Sequence, residues 1–173
     1  SAEAFALASQ VYDGIGTPAL PTYADQLRSA AVSAWDWAAA NPAVVFRNND
    51  ASSGTQGLGA GQQEVDENGR ADKRLSAAIY LAASTGEARF HDYVEANYGA
   101  SKLVGGFYVN GFENRVQRDL LFYTTLSGAP SEIRDTIRDR YGNAMQARAH
   151  WPAIDDARDA YQAPLDPYTW GSN

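Results

Sequence analysis

Carboxylates are the side chains through which this sequence could most readily do chemistry. Asp50, Glu64, Asp66 and Glu67 fall within residues 47–70, a stretch otherwise rich in Gly, Asn and Gln. Hard cations such as calcium want several oxygen ligands, so a loop of this make-up could hold one. The spacing matches no known calcium loop. A lid or rim over a ligand cleft fits the composition better, and a solvated loop better still. His91 and His150 stand far apart with no nucleophile motif near either, and they read as a helix-surface residue and a loop residue. Gly-x-Ser-x-Gly, a phosphate loop and His-Glu-x-x-His are all absent. Pairing two carboxylates for acid–base work needs a spatial separation that sequence spacing does not supply. The residues alone assign no catalytic group and no metal site.

Composition narrows the class. The chain has 173 residues, the size of one ordinary domain. With 45% hydrophobic and 12% aromatic residues it is no disordered tail. A net charge of −7 argues against a sequence-independent grip on nucleic acid. The basic residues form no block, and no apolar run approaches a membrane span. Zero cysteines exclude disulfides and thiolate metal sites without deciding the compartment.

The elements that must position any site read as helices. Residues 71–98 form a helical hairpin. Asp72 to Ser84 contains no Gly or Pro, and Leu75, Ala78, Ile79 and Ala82 share one face. Ala77, Tyr80, Leu81 and Ala83 cover much of the rest, so this helix should be buried on most sides. Gly86 should cap it in the left-handed conformation, and Phe90, Tyr93, Val94 and Tyr98 give the return helix one sticky side. Upstream, Phe5, Ala8 and Tyr12 mark a helix over 1–11, and Asp13-Gly-Ile-Gly-Thr-Pro marks a turn. Thr22 should cap a helix whose stripe is Tyr23, Leu27, Ala30, Ala34 and Trp37, ended by Asn41-Pro42. Trp35 and Trp37 read as packing between helix layers, with sugar stacking as the alternative. Downstream, Phe107 and Tyr108 fall in a Gly-rich segment. Phe112, Val116, Leu120 and Tyr123 mark a further helix. Pro130-Ser-Glu starts another along Ile133, Ile137, Tyr141 and Ala144 or Met145, with Arg134, Asp135, Arg138 and Asp139 on its solvated side. Five or six helices and no convincing strand result. A helix is already under way at Ser1, and the far end stops in aromatic-rich loop chemistry. Both termini are expected to be cuts through a larger domain.

Three pieces of the chain resemble the middle of a glycoside hydrolase family 9 catalytic domain, the endoglucanase and cellulase family. One runs from Tyr23 to Pro42 and includes Ala-Trp-Asp-Trp-Ala and the Asn-Pro stop. The second is Asp72 to Gly86 with Phe90. The third is Tyr161-Gln-Ala-Pro-Leu-Asp-Pro-Tyr-Thr-Trp-Gly-Ser-Asn173, whose Trp-Gly-Ser-Asn is the sharpest match. The resemblance implies an all-α, (α/α)6 barrel, about half of it present as antiparallel helix pairs. Residues 1–173 would be the central segment of a single such domain.

Family members of this type cleave β-1,4 glucosidic bonds with inversion, using an Asp-Ala-Gly-Asp motif near the domain's start and a Glu near its end. Neither motif occurs in this chain, so it is expected to supply barrel helices and cleft residues but no hydrolysis of its own. Carried over by position, Trp170 would offer its face to a glucosyl ring. Asp72 would accept hydrogen bonds from sugar hydroxyls; the blander readings are loop packing and an N-cap or first-turn charge. Lys73 stands where the family usually has Glu, and residues 67–70 lack the aromatic often found before the Asp, so a shorter or amino-sugar substrate stays open. No cofactor is implied, calcium being known in the family but unsupported here. The implied partners are an oligo- or polysaccharide and the remainder of the same domain or another copy, with neither nucleic acid nor membrane. The implied location is extracellular or periplasmic. A non-catalytic helical solenoid and another (α/α)-barrel carbohydrate-active enzyme remain as alternatives. A half barrel would expose the flanks of its inner helices and so favour poor solubility or pairing.

Overall fold

The computed structural model describes residues 1–16, 20–57, 64–106 and 115–146. Among them are six α-helices, α1 (Ala2–Ile15), α2 (Tyr23–Ala40), α3 (Glu67–Thr85), α4 (Ala88–Asn97), α5 (Arg115–Tyr123) and α6 (Ser131–Gln146), and no strand. Single 3₁₀ turns lie at Ala51–Ser53 and Tyr98–Ala100. This all-helical make-up agrees with the architecture the resemblance implies. The chain divides into two compact units, residues 1–98 with 126–128, and residues 99–125 with those from 129 onward.

The first unit is built on α3, which packs against α1, α2 and α4. Every residue from Leu75 to Ala82 is buried, with Ser76, Ala78, Ile79 and Leu81 fully so. No polar face survives over two turns, so the helix is stable only where neighbours cover it all round. The expected cap is present: Gly86 has φ 69° and its N–H donates to the Ala82 carbonyl. Phe90 and Val94 of α4 are fully buried, as the return helix requires.

Where α3 begins differs from the reading of residues 47–70 as one irregular segment. Helix starts at Glu67 because Asp66 is its N-cap, its Oδ1 accepting from the Gly69 N–H at 2.7 Å. Gly69 suits this turn. A Cβ there would come within 2.7 Å of Val65 Cγ1 and 3.1 Å of the capping Asp66 oxygen. Asn-Gly, a turn signal in isolation, is here the first turn of a helix.

Two stripes also fall elsewhere than their spacing suggests. In α2 the buried residues are Leu27, Ala31 and Trp35, whereas Trp37 is 57% exposed. Trp35 forms ring contacts with α4 and so turns that side of α2 inward. In α1 the buried positions are Ala6 and Ser9, not the side of Phe5 and Tyr12. Small residues there let the backbone approach its neighbours closely. The Ser9 hydroxyl is satisfied by the Ala6 carbonyl at 2.7 Å. The α1 helix also runs through Gly14 to a left-handed Gly16 at φ 59°, instead of turning at Asp13. Thr22 stands at the N-cap of α2, but its hydroxyl accepts from the Gln26 side chain and Asp25 pairs with Arg28, so no capping box forms.

In the second unit Val116, Leu120 and Tyr123 of α5 and Ile133, Ile137 and Ala144 of α6 are buried, as their spacing implies. Arg138 is more than a solvated charge. Its Nε donates to Thr124 Oγ1 at 3.1 Å and its Nη2 to the Thr124 carbonyl at 3.0 Å, which binds α6 to the end of α5.

The Asp66 cap yields a direct test. Asp66→Ala is expected to destabilise the chain by about 1 kcal/mol and Asp66→Asn by clearly less, read from urea denaturation followed by tryptophan fluorescence. Equal losses for the two variants would remove the capping role.

Candidate functional site

Asp72 lies in the second turn of α3 and is half-buried. It is therefore neither an N-cap nor a first-turn charge, since Asp66 and Glu67 hold those places. At helical spacing Asp72 shares a face with Ser76 and Ile79, both fully buried. The Ser76 hydroxyl is buried and has no hydrogen-bond partner among the described residues, an unusual state for an interior polar atom. Trp170, with the rest of residues 161–173, lies outside the described residues. So do His150, Phe107, Tyr108 and Phe112.

The loop carboxylates serve the backbone. Asp50 caps the 3₁₀ turn, accepting from the Ser52 N–H at 2.9 Å, the Ser52 hydroxyl at 2.6 Å and the Ser53 hydroxyl at 2.7 Å. These bonds hold its carboxyl down to about 2. Glu64 Oε1 accepts from the Asn48 N–H at 2.6 Å. The Thr55 hydroxyl bonds to the Arg47 carbonyl, and the Thr55 N–H donates to the Asp50 carbonyl at 3.1 Å. The described part of the loop is thus tied together by local bonds. Among the described residues no three His, Cys, Asp or Glu groups come together.

A second constellation escaped the reading of spacing. Arg74 lies on the side of α3 away from Asp72, its guanidinium carbon 5.0 Å from the Trp35 ring centroid and 4.8 Å from that of Tyr93. Trp35 in turn meets Tyr93 edge-on at 4.9 Å and Phe90 edge-on at 5.6 Å. One ring from α2 and one from α4 therefore lie against a single cation from α3. Burial pushes the Tyr93 phenol above its ordinary value, and the Arg74 charge partly opposes this. The available signal was helical. Arg74, Ala78 and Leu81 are spaced four and then three apart, so a buried side had to include the cation.

Arg89 forms a more exposed junction, 2.8 Å from Asp36 of α2 and 2.8 Å from Glu87. Pairs this open add little stability. His91 is half-buried rather than simply on the surface: a Cβ at Gly128 would lie 2.7 Å from its Cε1 and Nε2, so the ring covers that glycine.

Compared with known proteins, the chain matches the family model described as glycosyl hydrolase family 9 over residues 1–173. No curated protein and no solved structure matches it.

Two outcomes follow from this geometry. Trp35→Ala should cost about 3–5 kcal/mol and Trp37→Ala no more than about 0.5 kcal/mol, measured by chemical denaturation; similar losses would contradict the placement of the two rings. Because the Asp50 pKa is depressed in the folded chain, its local bonds should be intact above the ordinary carboxylate value of 3.8 and be lost only as pH falls through about 2. A carboxyl carbon titration by NMR with a midpoint near the ordinary value would show that the cap is not formed.

Proposed function

Since the chain belongs to glycosyl hydrolase family 9, we propose that it is part of an inverting hydrolase of β-1,4-linked glucans, contributing barrel helices and cleft contacts but neither reacting carboxylate. The family match over residues 1–173 is the observation that carries this reading. Two features of the chain support its finer parts. Asp-Ala-Gly-Asp does not occur in it. The outer side of α1 leaves Leu7, Val11 and Ile15 exposed at 42%, 49% and 67%, one helical row suited to cover by a further helix.

In this reading residues 1–173 form the middle of a single (α/α)6 domain. Inversion requires an acid to protonate the leaving oxygen while a base activates water on the opposite face of the ring, the two carboxyls about 6.5–9.5 Å apart. Both belong to segments outside residues 1–173. Asp72 accepts hydrogen bonds from sugar hydroxyls, and Trp170 presents an aromatic face to the apolar C–H side of a pyranose. The substrate is an oligo- or polysaccharide. Such polymers do not cross membranes, so the protein works outside the cytoplasm, in the periplasm or beyond the cell. No helix among the described residues is long and apolar enough to span a membrane.

Residues 1–173 alone should release no reducing ends from soluble β-1,4-glucan, whereas the chain extended on both sides should do so. Within the extended enzyme Asp72→Asn should lower kcat/KM by roughly 10- to 100-fold, the worth of a charge-assisted hydrogen bond. Hydrolysis by residues 1–173, or an unchanged kcat/KM in the variant, would overturn the division of roles. An extended chain that binds glucan without cleaving it would favour the scaffold alternative.

A further inference from the structure

Arg74 poses a question that the hydrolase reading does not answer. It is the cation of the Trp35 and Tyr93 stack, half-buried, on the side of α3 opposite Asp72. Its Nε is enclosed and has no hydrogen-bond partner among the described residues. No carboxylate stands within ion-pairing distance of it there, although the chain as a whole carries seven more acidic than basic groups. The other cations of this unit that meet acids, Arg28 and Arg89, each touch two.

We propose that the Nη1–Nη2 edge of Arg74 is a docking point for a carboxylate. The enclosed Nε closes the side-on fork of the guanidinium, so the end-on pair of Nη donors remains for an incoming acceptor. That pair matches the two oxygens of a planar carboxylate, which a guanidinium binds through two parallel hydrogen bonds. Contact with two mutually perpendicular rings, their centroids 5.0 and 4.8 Å from its guanidinium carbon, holds the Arg74 head group in place in advance, so little side-chain freedom is lost when the anion arrives. The shared chemistry is a carboxylate, whether a simple acid or the acid group of a uronic sugar.

The test uses the 173-residue chain labelled with ¹⁵N. The Arg74 Nε–H and the Trp35 indole N–H are followed while sodium acetate, sodium glucuronate, glucose and sodium chloride are added separately at constant ionic strength. Saturable shifts of both signals with acetate and glucuronate alike, at roughly millimolar concentration, are expected, with none from glucose or chloride. A response to glucuronate alone would also support the site and name the sugar acid as its source. Arg74→Gln should abolish the indole response. Arg74→Lys, which keeps the charge but lacks the fork, should weaken it severalfold, with circular dichroism and thermal melting confirming that the chains tested are folded. Absence of saturation with both acids, or an indole shift that persists unchanged in both variants, would overturn the proposal.

Discussion

All-round burial of one Ala-rich helix is the constraint from which the first unit follows. From Leu75 to Ala82, α3 offers water nothing polar to hydrate. It can exist only when α1, α2 and α4 surround it. Each fully buried Ile or Leu contributes about 1.5–3 kcal/mol, but the alanines matter as much through their size. They let neighbouring backbones come close, and small residues are buried on the facing helices too, Ala6 and Ser9 of α1 and Ala31 of α2, the last beside Leu27 and Trp35. Trp35 packs against Phe90 and Tyr93 of α4, and Phe5, Tyr12 and Trp37 are left partly in solvent.

The polar residues are arranged to spare backbone groups. Asp66 and Asp50 hold free N–H groups at helix starts, Glu64 holds that of Asn48, and Arg138 takes the carbonyl at the end of α5. A run of carboxylates that could have bound a cation is accounted for, at Asp50, Glu64 and Asp66, by such local bonds. Asp72 stands beyond the first turn of α3, past the cap and first-turn places that Asp66 and Glu67 hold.

Periodicity made much of this legible. The α3–α4 hairpin, the Gly86 cap, and the buried rows of α5 and α6 follow from composition and helical spacing, because α3 is too apolar to lie at a surface and the charged residues of α5 and α6 leave a single apolar row. Failures came where contrast was weak. In α1 and α2 about two thirds of the positions are Ala or larger apolar, so spacing alone could not choose between Trp35 and Trp37, or between Ala6 and Phe5. Tertiary contact chose, through Trp35 meeting Phe90 and Tyr93. The start of α3 was hidden because Asn-Gly looks like a turn until Asp66 is seen to cap it. Function was legible only through family resemblance. The match over residues 1–173 agrees with it, while the contacts proposed for Asp72 and Trp170 rest on position within the family's motifs.

Whether these helices form one sector of a glycan-cleaving ring is tested most directly by a crystal structure of the chain extended beyond both ends of residues 1–173, soaked with a cello-oligosaccharide. The expected result is a glucosyl hydroxyl within hydrogen-bond distance of Asp72, with Leu7, Val11 and Ile15 of α1 covered by a helix from outside this segment. An oligosaccharide seated away from Asp72, with that row of α1 still facing water, would contradict it.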